Sequence, residues 1–128
     1  MRVHALDTSG GMTTEMIVAA LALIKKTAAP DDYVLGFDTQ VFTPTRVKDI
    51  DSFRPMGGGG TEGQTVINWA AAHGATAVTF YTDGLFHERT LDWKGITQRK
   101  CVISGGVKNM SATMQSALIN DLGFQIVQ

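Results

Sequence analysis

The chain has 128 residues, 44% of them hydrophobic and 18% charged, which suits one globular domain burying roughly two thirds of its unfolded surface. A net charge of −1 and a pI near 6.2 give no electrostatic reason to bind nucleic acid or an anionic membrane. The single cysteine, Cys101, excludes an internal disulfide and a cysteine-built metal cage, and in the apolar run "CVIS" it reads as a buried, inert thiol.

Residues 2–7 alternate weakly and close on Asp7, as a short strand does before a polar turn. Thr13 or Thr14 then caps a helix with Glu15 in its first turn and Lys25 and Lys26 in its last, each charge matching the helix dipole. Pro30 follows, and "DYVLGFD" is a second buried strand closing on Asp38. "QVFTPTRV" turns back as an antiparallel edge strand, because Pro44 is tolerated at an edge and not in a sheet centre. "SFRPMGGGGTEG" is a loop, since four consecutive glycines destabilise any regular element. Thr61 or Thr65 starts a helix through "VINWAAAH", which Gly74 stops. "TAVTFYTDG" is a third strand, ending at Asp83, and "LFHERTLDWKG" is irregular or a short helix. "KCVIS" is a fourth core strand, "SATMQSALINDL" a helix closed by Gly123, and "FQIV" a last strand.

This alternation predicts a single α/β domain over 1–128, with a mostly parallel central sheet of about six strands and one antiparallel edge strand. Right-handed crossovers put helices on both faces of such a sheet. Loops after the strand C-termini then share one edge, where open α/β sheets bind ligands. Asp7, Asp38 and Asp83 all fall there. A turn role explains any one of them, because aspartate bonds its own neighbouring backbone. Gathered at one edge they are harder to explain, since two bare carboxylates about 6 Å apart repel by roughly 3 kcal/mol at an effective dielectric of about 20. Ser9 and Thr61 add hydroxyl oxygens beside them. Such hard ligands suit Mg²⁺, Mn²⁺ or Ca²⁺.

"DTSGG" after the first strand, Thr61 in the glycine-rich loop before the second long helix, and "YTDG" ending the next strand resemble the von Willebrand factor A family. Its metal-ion-dependent adhesion site has the pattern D-x-S-x-S, then a loop threonine, then a loop aspartate. The resemblance follows the order of elements across nearly the whole chain. It implies a three-layer, Rossmann-like fold with Asp7, Ser9, Thr61 and Asp83 as the metal-site residues. It also implies a non-enzymatic protein–protein interaction module in which an acidic side chain, Glu or Asp, of a partner completes the coordination of Mg²⁺ or Mn²⁺. The chain departs from the pattern at Gly11, where a second serine is expected; glycine offers no side-chain oxygen, so a weaker or altered site is predicted. Asp38, Glu62 and His87 are candidates for supporting or rim positions, with a turn, a helix dipole and a solvated loop as their respective plain explanations. Glu88 is read as part of that solvated loop.

Other chemistries fit less well. "GGGGTEG" lacks the Gly-Lys-Ser/Thr ending of a P-loop, leaving only an anion nest for phosphate. An aspartyl phosphatase needs D-x-D where Ser9 stands, and a strand-borne aspartate of the nuclease type is followed by a meander and not by a helix. Ser9 lacks the G-x-S-x-G elbow of a hydrolase. A metal-dependent phosphoester hydrolase or nuclease using Asp7 and Asp83, or a metal-free scaffold subunit, is therefore the runner-up. His4 and His73 read as structural. The uncharged helix runs "MIVAALALI" and "SATMQSALI" either pack within the fold or leave an apolar face for self-association. No signal peptide or bilayer-spanning run is expected, which points to a cytoplasmic protein.

Overall fold

The computed structural model describes residues 1–127. Six strands form one sheet: β1 (Arg2–Asp7), β2 (Tyr33–Phe37), β3 (Val41–Arg46), β4 (Ala77–Thr82), β5 (Gln98–Ile103) and β6 (Gln125–Ile126), in the spatial order β3-β2-β1-β4-β5-β6. Every pairing is parallel except that of β2 with β3, which is antiparallel and leaves β3 at the edge. Pro44 lies exposed on that edge strand, where its missing N–H interrupts no central ladder. The chain builds outward from β1 to β2 and β3, then returns to place β4 on β1's other side. That reversal makes the C-terminal ends of β1 and β4 the switch point of the sheet.

The strand side chains divide by alternation into two apolar clusters. Val3 and Ala5 of β1, Leu35 and Phe37 of β2, and Val78 and Phe80 of β4 join one cluster with Val66, Ile67 and Ala70. Phe80 anchors it, with edge-on contacts to Phe37, Phe86, Trp93 and Phe124. Leu6, Val34 and Tyr81, from the intervening positions, join the second cluster with Ala20 and Ile24. Successive strand residues point to opposite faces, so the two clusters lie on the two sides of the sheet.

Ala20 and Ile24 belong to α1 (Thr14–Thr27) and sit four residues apart on its buried face. Thr13 caps this helix by accepting the Met16 amide at 3.2 Å, and Lys25 in its last turn pairs with Asp51 at 2.5 Å. Asp51 belongs to a 3₁₀ stretch over Val47–Ser52 that sequence periodicity does not reveal, being too short to show a period. Helix α2 (Gln64–Ala72) supplies Val66, Ile67 and Ala70, and Gly74 beyond its end adopts φ +74°. Neither Thr61 nor Thr65 caps it, contrary to expectation. The Glu88 carboxylate does, accepting the Gly63 amide at 3.0 Å and the Gln64 amide at 2.7 Å, while Thr65 donates to the Glu62 carbonyl. Glu88 is thus a helix cap from a distant loop and not a solvated residue. The expected single helix over "SATMQSALINDL" is α3 (Ala112–Ser116) followed by a π-helical turn, Ala117–Asp121, with Gly123 at φ +83°. The segment 85–95 forms no helix.

A buried polar group crosses the α1 side of the sheet. His4 bonds Tyr81 Oη at 2.8 Å through Nδ1 and Asp32 Oδ2 at 3.0 Å through Nε2. Asp32 also accepts the Arg2 and Ala29 amides, so it is an acceptor on all sides and Nε2 must carry the proton. Nδ1 then accepts the Tyr81 hydroxyl, whose pKa burial raises to about 12. His4 is structural, as its place on the strand suggests. Cys101 is fully buried, and burial raises its thiol pKa. Among the described residues no helix is long and apolar enough to cross a membrane.

Candidate functional site

Asp7 ends β1 with no exposed surface. Its Oδ1 accepts the Ser9 amide at 2.9 Å, the local turn that aspartate favours. Its Oδ2 accepts the Thr82 hydroxyl at 2.6 Å. The register that sets Leu6 against Tyr81 carries Thr82 to Asp7's side, and the Thr82 oxygen also takes the Gly84 amide at 3.1 Å. Burial raises the Asp7 pKa; hydrogen bonds from Thr82 and from the Ser9 hydroxyl and amide oppose the rise, and the neighbouring Asp83 charge adds to it. Positive charge nearby would favour the ionised form of this carboxylate.

The four-glycine loop packs flush on the β1–α1 loop. Gly58 donates its amide to the Thr8 carbonyl at 2.8 Å, and Gly10 donates to the Gly59 carbonyl at 3.0 Å. Thr8 reaches across to the Met56 carbonyl at 2.5 Å and the Phe37 carbonyl at 3.1 Å. Asp38 ties in from β2: Oδ2 accepts the Gly59 amide at 3.1 Å and Oδ1 the Gln40 amide at 3.0 Å, while its carbonyl accepts the Glu62 amide at 2.9 Å. Asp38 is therefore both a turn residue and the clasp of the glycine loop. The Gly58 and Gly59 amides are used within the protein, so the loop is a zipper and does not present them as the donors of a phosphate nest. A Cβ at Gly60 would stand 2.0 Å from His87 Cε1, so a side chain there would push the exposed His87 ring aside.

Three separate loops meet around an open cavity of about 340 Å³. Ser9, Gly10 and Gly11 line it from the β1–α1 loop, Gly60 and Thr61 from the glycine loop, and Asp83 and His87 from the segment after β4. Ser9 and Thr61 are otherwise buried, and the Thr61 carbonyl accepts the His87 amide at 2.9 Å, joining the second and third loops. Asp83 Oδ1 accepts the Leu85 amide at 3.1 Å, whereas Oδ2 leans over Gly11, 2.8 Å from where a Cβ would stand. The absence of a side chain at residue 11 is what lets the Asp83 carboxylate lie there.

The fold thus brings Ser9, Thr61, Asp83, Gly11 and His87 to one cavity, with Asp7 buried beneath and bonded to Ser9. Asp38 stands behind the glycine loop, and Glu62 is not among the residues lining the cavity. Among the described residues, no three of His, Cys, Asp and Glu gather as a metal-holding group. Any cation here would therefore rest on hydroxyls as much as on carboxylates. Sequence reasoning overlooked Thr8 and Thr82, which hold the loop and Asp7 in place. The Thr82 signal was present in "YTDG", but only the parallel register shows which carboxylate the hydroxyl meets. No model of a known protein family matches the chain, and neither does any curated protein.

Proposed function

We propose that the chain is a von Willebrand factor A-like recognition module, three-layered and without turnover. In it Asp7, Ser9, Thr61 and Asp83 hold one Mg²⁺ or Mn²⁺ for the acidic side chain of a partner protein. The observation that carries this reading is the convergence of Ser9, Thr61 and Asp83, from three loops, on one cavity over the buried Asp7. The sheet order and the antiparallel edge strand β3 agree with it.

The donor set fits a hard divalent ion. It contains two carboxylates and two hydroxyls, with no sulfur or imidazole in the proposed set. Asp7 and Asp83 repel one another, and a cation between them would turn that cost into a gain. When bound, such an ion supplies an electrophilic centre for a partner's Glu or Asp. The protein's own part is to hold the oxygens in place. Thr82 and the Ser9 amide fix Asp7, the glycine zipper fixes Thr61 beside Ser9, and His87 walls the rim. Gly11 contributes no oxygen, which predicts weak binding.

Isothermal calorimetry and thermal melts with Mg²⁺, Mn²⁺ and EDTA test the reading. Metal should raise the melting temperature of the wild type, and Ser9→Ala and Asp7→Asn should abolish the rise while remaining folded. A wild type indifferent to both metals overturns the reading. Metal-dependent turnover of a generic phosphoester, lost in Asp7→Asn, would assign the chain to hydrolase chemistry instead.

A further inference from the structure

Helix α1 buries Ala20 and Ile24 and leaves an unusual strip on its opposite side. Glu15, Ala19, Ala22 and Lys26 follow one another at steps of four, three and four residues, the spacing of a helix–helix seam. All four are exposed. Val18 and Leu23 flank them, 59% and 38% exposed, so the strip is apolar in the middle and charged only at its ends. Lys25 is engaged with Asp51, whereas neither Glu15 nor Lys26 makes an ion pair among the described residues.

The pattern is complementary to its own reverse. Laid antiparallel on a second α1 about a two-fold axis, Glu15 falls opposite Lys26, Ala19 opposite Ala22, and the other half repeats the same contacts. Small residues at the centre allow close approach, opposite charges close both ends, and antiparallel helix dipoles add favourably. An isologous interface demands such self-complementarity. A groove of about 370 Å³ runs along one flank, lined by Met16, Leu23, Tyr81 and Val102. That groove has the buried Ala20 and the sheet residues Tyr81 and Val102 in its wall, so it opens on the sheet side of α1 and stays outside the seam. None of these residues lines the cavity of the candidate site.

We infer that α1 pairs with α1 of a second copy of this chain, forming an antiparallel two-fold dimer. One helix seam is a small interface, so a weak dimer is expected, populated only as concentration rises. Sedimentation velocity over a concentration series tests it. The wild type should pass from monomer to dimer, whereas Glu15→Lys alone and Lys26→Glu alone should each stay monomeric. Mixing those two variants should restore a dimer, because each end then joins opposite charges, and the double variant should dimerise by itself. Ala22→Arg should abolish pairing by bulk. Circular dichroism checks that each variant, altered only at an exposed position, is folded. A wild type that stays monomeric throughout overturns the inference, and so does a dimer that both single charge reversals leave intact.

Discussion

Thr82 donates its hydroxyl to Asp7 across two neighbouring strands at 2.6 Å, and both residues lie wholly out of solvent. A buried carboxylate oxygen deprived of its donor bears the desolvation penalty alone. Thr82→Val keeps the shape and removes the hydroxyl, so the variant should lose about 1–3 kcal/mol of stability. Thr82→Ser, which keeps the oxygen, should recover most of it. Urea midpoints of the three proteins at neutral pH check this ordering. A Val variant as stable as wild type would mean that Asp7 is protonated or otherwise satisfied there.

Asp7 also fixes a pH trend. Its folded pKa lies above the ordinary 3.8, because burial outweighs the bonds from Thr82 and Ser9. The folded state therefore holds the proton more tightly than the unfolded chain does. As pH rises from 3.8 through the higher folded value, the wild type loses stability that a neutral side chain would keep. Asp7→Asn should be close to wild type at the acid end of this window and progressively more stable than wild type towards neutrality, in metal-free buffer. Urea titrations at a series of pH values check the difference, and a gap that shrinks as pH rises contradicts it.

The sheet was legible because its strands carry their own signals. Short apolar or weakly alternating runs closing on Asp7, Asp38 and Asp83 placed the acidic edge, and Pro44 placed the antiparallel strand. Ser9 and Asp83 follow from where the loops after parallel strands must lie, whereas Thr61, which comes after the antiparallel β3, is joined to them in the sequence only by the family resemblance. What stayed hidden depends on register and on distant partners. Thr82 meets Asp7 only once β1 and β4 are aligned, and Glu88 caps α2 from 24 residues beyond Gln64, with no local pattern to announce it. Four glycines in a row suggested a phosphate nest, and only the hydrogen bonds with Thr8 and Asp38 show a zipper.

On the sheet's α1 side, burial holds His4 below its usual 6.5, with Arg2 adding to the effect and Asp32 opposing it. The unfolded chain therefore binds a proton that the folded ring resists, and stability should decline as pH falls below 6.5. Asp32 is itself buried, which works against its charge, yet bonds from His4 and from the Arg2 and Ala29 amides hold its pKa low. Asp32→Asn removes the charge that supports His4 protonation. In an NMR titration of the imidazoles, His4 should thus titrate at lower pH in Asp32→Asn than in wild type. A shift to higher pH would show that Asp32 does not act on His4 as an anion.

Gly11 offers the sharpest separation of space from chemistry. A Cβ there meets Asp83 Oδ2 at 2.8 Å, and since that oxygen ends a side chain, it can swing aside. Gly11→Ala and Gly11→Ser impose the same displacement, but only serine brings an oxygen to the cavity. On the cation reading proposed above, both variants should fold, with a small loss of metal-free stability of about 1 kcal/mol or less. With Mg²⁺ the serine variant should gain more in melting temperature than the alanine variant and bind several-fold more tightly by calorimetry, each tenfold corresponding to about 1.4 kcal/mol. Equal responses from Ala and Ser would mean that residue 11 is not a ligand position.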